Sequence, residues 1–319
     1  MKKLVISVAL LLVAAIFFGC AQVPGTAPKT EGGLKNVGVS NYLSSWEFNV
    51  DIQKGIQETA DENGISVTFQ DAAEDASKQV SQVKAFINSG VDGIITYTVD
   101  GVALSSTAKD AVAAGIPVVS MWQQCEGASA NILVDEYQYG YTIGEMAGKW
   151  AQETFPGQEI EIALLRIQDY QWQEERGGGM RDALADTFPT GVIVTDQHCT
   201  STEMGIKVTE AILQANPNVK IFLCDSDDTG AFGIYEALMA KVSSSDYDSY
   251  GIFAADGVEQ AIALIKKGTM YRGTVDIQPK ETGKLALKVL MDLVAGKPVE
   301  QDVFVSFKSV DYKTAVESY

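Results

Sequence analysis

Histidine is almost absent from this 319-residue chain, which contains only His198. A single imidazole excludes a histidine-rich metal centre. His198 and Cys199 do not form a nucleophile and base either, because adjacent residues of a strand point to opposite faces. Cysteine is scarce too, with four residues at positions 20, 125, 199 and 224 and no spacing that matches a zinc site. Lys and Arg number 24 against 42 Asp and Glu, and the formal charge of −18 argues against nucleic acid and anionic lipid as partners, both being polyanions. No apolar run after residue 20 approaches the length of a membrane span. The chain also lacks a GxxxxGK[ST] phosphate loop and a nucleophile elbow, so neither an enzyme, a cofactor nor a metal is expected.

What is present begins with MKKLVISVALLLVAAIFFGCAQ. Lys2 and Lys3 precede an apolar run from Leu4 to Phe18, too short and wrongly flanked for a comfortable span, which reads as an export signal over residues 1–19. The ending Phe-Phe-Gly-Cys resembles the lipobox of bacterial lipoproteins, which implies lipidation at Cys20. The expected location is extracytoplasmic, lipid-anchored to the bacterial cell membrane at the cell surface or in the periplasm. Without residues 1–19, which hold two lysines, the formal charge moves from −18 to −20. Residues 20–34 carry Pro, Gly and Thr without apolar periodicity, as a flexible tether does. Cys125, Cys199 and Cys224 remain; an odd number leaves at least one thiol unpaired, and whether a disulfide forms among them stays open.

From Asn36 onward short β-branched runs alternate with helical patterns. Strands are expected at 36–40, 65–69, 92–96 and 117–121, and again at 160–167, 192–197, 219–224 and 250–255. Phe48, Ile52, Ile56 and Ala60 recur at four-residue spacing before Asn63-Gly64, and Val80, Val83, Phe86 and Ile87 share a face before Gly90. Strands apolar throughout and separated by helices imply parallel sheets covered on both faces. Thr200 and Glu203 have capping-box spacing, Gly140, Gly144 and Gly148 mark a closely packed helix face, and Gly177 to Gly179 form a run at a helix opening. Two such α/β halves in tandem would face each other across a cleft at the carboxyl ends of their strands, where open α/β sheets bind ligands.

Several ordered stretches carry a resemblance. They are VGVSNYLSSWEF with VDIQKGIQETADENGI, DAAEDASKQVSQVKAFINSGVDGIITYTVDG, AAGIPVV, TEAILQANPNVKIFLCDSDDTGAFGIYEAL and GVEQAIALIKKGTMYRGTVDIQPKETGKLA. Across residues 36–310 the chain resembles the ribose-type periplasmic binding proteins, the sugar-binding branch of type I solute receptors. The resemblance implies an α/β type I periplasmic binding protein fold: two Rossmann-like lobes, with parallel sheets flanked by helices, joined by a three-segment hinge. The N-terminal lobe would take residues 35–135 and 278–303, and the C-terminal lobe 136–277 and 304–319. It further implies a monomer that captures a small neutral sugar or polyol and delivers it to an ABC import permease.

Sugars in this family lie between aromatic rings, with polar side chains on their hydroxyls. The matching positions here are Trp46, Phe48 and Asn49 after the first strand, Tyr97 after the third, Trp122 and Gln123 after the fourth, and Trp172, Glu174 and Arg176 in the second lobe. Asp227 and Asp256 follow later strands, with Asp225 as a near neighbour able either to cap a helix or to meet ligand; Asp276 and Gln278 precede Pro279, and Asp100 joins Tyr97 at the end of the third strand as a further ligand candidate. Trp150 falls within a helix pattern and reads as core. Where many ribose-type receptors carry an Asp-Arg pair and a further Arg, this chain has Trp122-Gln123 and Glu174. Fewer cations and more rings put ribose in doubt and disfavour anionic ligands. The alternatives left open are an amine, nucleoside or signalling molecule on the same fold, or service as a sensory co-receptor.

Overall fold

The computed structural model describes residues 33–319 except Trp46 and Tyr170. The leader, Cys20 and Trp46 lie outside the described residues.

The chain first lays down β1 (Asn36–Asn41), α1 (Glu47–Asn63), β2 (Ser66–Asp71), α2 (Ala76–Ser89), β3 (Gly93–Tyr97), α3 (Gly101–Ala113), β4 (Val118–Met121) and β5 (Ala130–Leu133). It continues with α4 (Glu136–Thr154), β6 (Ile160–Arg166), α5 (Gln171–Thr187), β7 (Gly191–His198), α6 (Thr202–Ala215) and β8 (Val219–Cys224). A π-turn at Asp227–Ala231 leads into α7 (Phe232–Lys241), then β9 (Gly251–Asp256), α8 (Glu259–Lys266) and β10 (Tyr271–Asp276). Last come α9 (Pro279–Val294), β11 (Asp302–Phe304), β12 (Lys308–Val310) and α10 (Tyr312–Ser318).

Two six-stranded sheets result, ordered β2-β1-β3-β4-β5-β11 and β7-β6-β8-β9-β10-β12. Every pairing is parallel except β10 with β12. This is the α/β fold with helices on both faces of parallel sheets that the strand pattern implies. The central strands are apolar because both faces are covered: Ile94, Ile95, Val118, Val119, Ile162, Leu164, Phe222 and Leu223 are fully buried. β5, β11 and β12 are only three or four residues long and give no readable sequence pattern. The chain passes between the sheets three times, at 134–135, at 277–278 and at 305–307.

Local rules set the helix ends. Asp75, Asp100 and Asp135 cap α2, α3 and α4, and Gly90 ends α2 in the left-handed conformation at φ 68. The cap of α6 is Ser201, whose hydroxyl accepts the Met204 N–H at 3.2 Å; this corrects the expectation at Thr200, one residue earlier. Gly177 to Gly179 lie inside α5 rather than at its opening. An added Cβ at Gly179 would meet the Tyr137 carbonyl at 2.0 Å and one at Gly140 the Arg176 carbonyl at 1.8 Å, so backbone-to-backbone packing of α4 on α5 requires these glycines. Gly144 and Gly148 continue the same seam against Met180 and Thr187. Trp150 is partly buried and packs edge-on to Phe155 at 5.7 Å. Cys125, Cys199 and Cys224 are free, buried thiols. Among the described residues no helix is long and apolar enough to cross a membrane.

Candidate ligand-binding cleft

In each sheet the strand order reverses beside the first strand laid down, between β1 and β3 and between β6 and β8. Connections diverge there, leaving a crevice at the carboxyl ends of the strands. The two crevices face each other. At the hinge side of the cleft between them a groove of about 620 Å³ runs between Phe48, Asp51 and Lys54 of α1 and Asp256, Asp276 and Tyr319 on the side of the other sheet, with Gln278 at the crossing.

The first wall is aromatic. Tyr42 lies 5.4 Å from Tyr97 between ring centroids, Tyr97 stands edge-on to Trp122 at 5.7 Å, and Phe48 lies 5.7 Å from Trp122. Trp122 follows β4 with φ 68, a left-handed backbone that is uncommon for a bulky residue. Its indole Nε1 is buried without a hydrogen-bond partner, as are Asn41 Oδ1 and Asn49 Oδ1. Asn49 spends its amide N–H on the Leu43 carbonyl at 2.5 Å. Buried polar atoms without partners cost about 1–3 kcal/mol each, so three of them around one ring cluster, at the ends of β1 and β4 and in the first turn of α1, are what a site awaiting polar ligand groups looks like.

The second wall is polar and centres on Arg176. Its guanidinium bonds Glu136 at 2.8 Å and the Asp225 carbonyl at 2.7 Å, and its carbon lies 4.6 Å from the Tyr139 centroid and 5.2 Å from that of Trp172. Burial works against the charge on Arg176, but Glu136, Tyr139, Asp225 and Asp256 together more than compensate and hold the group protonated. Asp256 ends β9 with φ 97 and accepts the Ser226 hydroxyl at 2.5 Å, while its N–H donates to the Tyr139 hydroxyl at 3.0 Å. Burial raises the Asp256 pKa above the usual carboxylate range, and the Arg176 charge opposes that rise. Burial also raises the Tyr97 phenol, with Asp256 adding to the shift from the opposite sheet, so the two walls interact electrostatically.

The structure brings together Phe48, Asn49, Tyr97 and Trp122 on one wall and Trp172, Arg176 and Asp256 on the other, with Gln278 at a crossing between the sheets. Glu174 stands apart. Its side chain is 53% exposed and is engaged by Arg166 through two 3.1 Å bonds. Asp227 is enclosed behind the wall, where it accepts from Tyr271 at 2.5 Å, Thr274 at 3.0 Å and the Val258 N–H at 3.1 Å, tying β8 to β10. Gln123 is half-buried, and its carbonyl accepts the Ser120 hydroxyl at 2.7 Å. Asp225 does not cap a helix; it accepts the Ile167 N–H at 2.7 Å. Asn41, Tyr42, Glu136, Tyr139 and Ser226 were not singled out in the sequence. Asn41 and Tyr42 sit at a strand end and were findable by that rule, whereas Tyr139 occupies an ordinary core position of an amphipathic helix pattern.

Comparison with known proteins agrees with this geometry. A model of the periplasmic binding protein domain matches residues 37–298. The ribose import binding protein RbsB of Bacillus subtilis (strain 168) is 30% identical over 314 residues, spanning 97% of this chain and 98% of that protein. The xylitol-binding protein of Mycolicibacterium smegmatis is 25% identical over 84% of this chain and 74% of its own length. Among solved structures, the Caulobacter myo-inositol binding protein with myo-inositol has a TM-score of 0.72 at 25% identity, covering 90% of this chain and 96% of that one. A periplasmic solute-binding protein of Actinobacillus succinogenes 130z with D-allose shares the fold at a TM-score of 0.78 and 24% identity, over 88% of this chain and 99% of that one. A two-sheet α/β chain with an interlobe cleft and a family match of this extent belongs to the periplasmic binding protein family of ABC importers. It is therefore an extracytoplasmic solute-binding protein, and its work is capture rather than a chemical step.

Proposed function

We propose that this chain captures a small neutral sugar or polyol between its two lobes and hands it to an ABC permease. The observation that carries the reading is the opposition of two walls. The ring cluster of Tyr42, Phe48, Tyr97 and Trp122 faces the Arg176–Asp256 wall, with unpaired polar atoms of Asn41, Asn49 and Trp122 beside it. Rings cover the apolar C–H faces of a sugar, while carboxylates and amides take its hydroxyls. Relatives named for ribose, xylitol and myo-inositol fit that chemistry.

The lobes comprise residues 35–135 with 278–304 and residues 136–277 with 305–319, one residue later at the last boundary than the resemblance implies, because β11 runs to Phe304 in the first sheet. Closure is rotation about the three crossings, stabilised by ligand contacts made to both walls at once. Phe48, Asn49, Tyr97, Trp122, Trp172, Arg176, Asp256 and Gln278 meet the ligand, joined by Trp46. The protein works as a monomer tethered through lipid on Cys20.

A thermal-shift screen against pentoses, hexoses, polyols, nucleosides and quaternary amines tests the reading. A ligand at 100 times its Kd stabilises by about 2.7 kcal/mol. A rise in melting temperature with a sugar or polyol is the expected result. A rise with amines alone would favour a cation held under the rings, since Glu136, Asp225 and Asp256 face a single guanidinium in this wall.

A further inference from the structure

Gln278 ends the second crossing between the sheets and holds an unusual backbone, φ 53, although it is not glycine. No side chain caps the helix α9 that follows it. What engages Gln278 is its neighbour Asp276, which is 6% exposed and whose Oδ1 accepts the Gln278 N–H at 2.6 Å. The other oxygen of Asp276 accepts the hydroxyl of Tyr319, beyond the end of α10. The Tyr319 ring is itself held by Lys308, whose Nζ lies 4.5 Å from its centroid. Asp276 also packs closely on Gly257, where an added Cβ would fall 2.5 Å from the Asp276 Cβ. Asp276, Gln278, Lys308 and Tyr319 all line the interlobe cleft opposite Phe48. α10 and Tyr319 lie past residue 298, where the family match stops.

We propose that Tyr319 is a positioning residue for ligand capture: its hydroxyl fixes Asp276, Asp276 fixes the left-handed Gln278, and α10 thereby sets the geometry of the crossing about which the lobes close. The proposal rests on the capture reading above. Lys308 on β12 and Asp256 on β9 are the charged neighbours of Asp276 in the sheet register, and neither supplies the bond that Tyr319 makes.

The test uses the full chain and Tyr319→Phe, which keeps the ring on Lys308 and removes only the hydroxyl. By NMR, the Gln278 amide of the variant should exchange at least tenfold faster, while amides of β6 and β8 keep their wild-type protection and report an intact fold. The Asp276 carboxyl should titrate at higher pH in the variant, because the Tyr319 bond lowers its pKa in the wild type. Unchanged Gln278 exchange and unchanged Asp276 titration would overturn the proposal, and neither reading needs a ligand. In a second arm, calorimetry with D-ribose, D-allose, xylitol and myo-inositol should show about tenfold weaker binding by the variant of whichever probe the wild type binds. Equal affinity would overturn the link to capture. If the wild type binds none of the four, the sugar reading fails while the exchange and titration arm still decides what Tyr319 does. Asp276→Ala, which removes the acceptor for the Gln278 N–H itself, should speed Gln278 exchange at least as much as Tyr319→Phe does; a smaller effect from Asp276→Ala would contradict the order of the relay.

Discussion

Asp225→Asn should make the unliganded protein more stable at pH 8 than at pH 4, relative to wild type. Asp225 is 1% exposed and its pKa is pushed up to about 7, first by burial and then by Asp256, against the pull of Arg176 and the Ile167 N–H. The ordinary value is 3.8, so the shift is upward. A raised carboxylate pKa means that the folded state binds the proton more tightly than the unfolded chain does. The contribution of Asp225 to stability is therefore highest below pH 4, falls as the pH rises from about 4 to about 7, and levels off above that. At about 1.4 kcal/mol per pH unit, the ionised Asp225 costs roughly 4 kcal/mol at pH 8. Asparagine keeps an acceptor for the Ile167 N–H, and the pull of Arg176 is already contained in the shifted pKa, so the gain at pH 8 is up to about 4 kcal/mol. Urea unfolding of wild type and variant at half-unit steps from pH 4 to 8 measures the difference. Asp227, Asp256 and Asp276 shift in the same direction and cancel in it. A difference that stays flat across pH 4–8 would refute the claim that burial, rather than its partners, governs Asp225.

Trp122→Ala should abolish the ligand-induced rise in melting temperature, while the unliganded protein still unfolds cooperatively at a lower temperature, since two ring pairs worth about 0.5–1.5 kcal/mol each are lost together with the burial of a partly buried ring. Full retention of the rise would remove Trp122 from the site. Gly140→Ala should destabilise by about 3 kcal/mol, because its Cβ would fall 1.8 Å from the Arg176 carbonyl, whereas Gly178→Ala, with nothing within 4 Å, should be neutral or stabilising by up to about 1 kcal/mol. Equal effects of the two, read in urea, would contradict the packing of α4 on α5. Glu174→Gln should leave affinity within twofold of wild type and cost less than about 1 kcal/mol of stability, given its half-exposed ion pair with Arg166. A tenfold loss of affinity in calorimetry would return Glu174 to the cleft.

The aromatic half of the cleft was legible because it obeys a local rule. Residues directly after a parallel strand face the crevice, and Tyr97 and Trp122 sit one after β3 and β4 at most. The acidic half was harder to read, because three aspartates crowd the end of β8 and the start of the π-turn, and adjacent residues share composition but not direction. Asp227 is drawn inward by Tyr271 and Thr274, which are more than forty positions away, and Asp225 is drawn onto the β6 end by Ile167. Glu174 matched a ligand position by resemblance to the family, yet Arg166 from β6 captures it.

Alternation of apolar runs with helical periodicity was enough to determine the α/β class, the parallel sheets and the position of a cleft, because burial on both faces and helix geometry act over a few residues. Glycines at α2 and at the α4 seam likewise declared their places in advance. Only the tertiary structure decided which polar groups share the cleft. Arg176 acquires Glu136 and Tyr139 because α4 packs on α5 at glycine distance, and Asp276 acquires Tyr319 because β12 runs antiparallel beside β10. Such partners are set by how whole elements pack, and a hydrogen bond across that packing leaves no periodic trace in the chain.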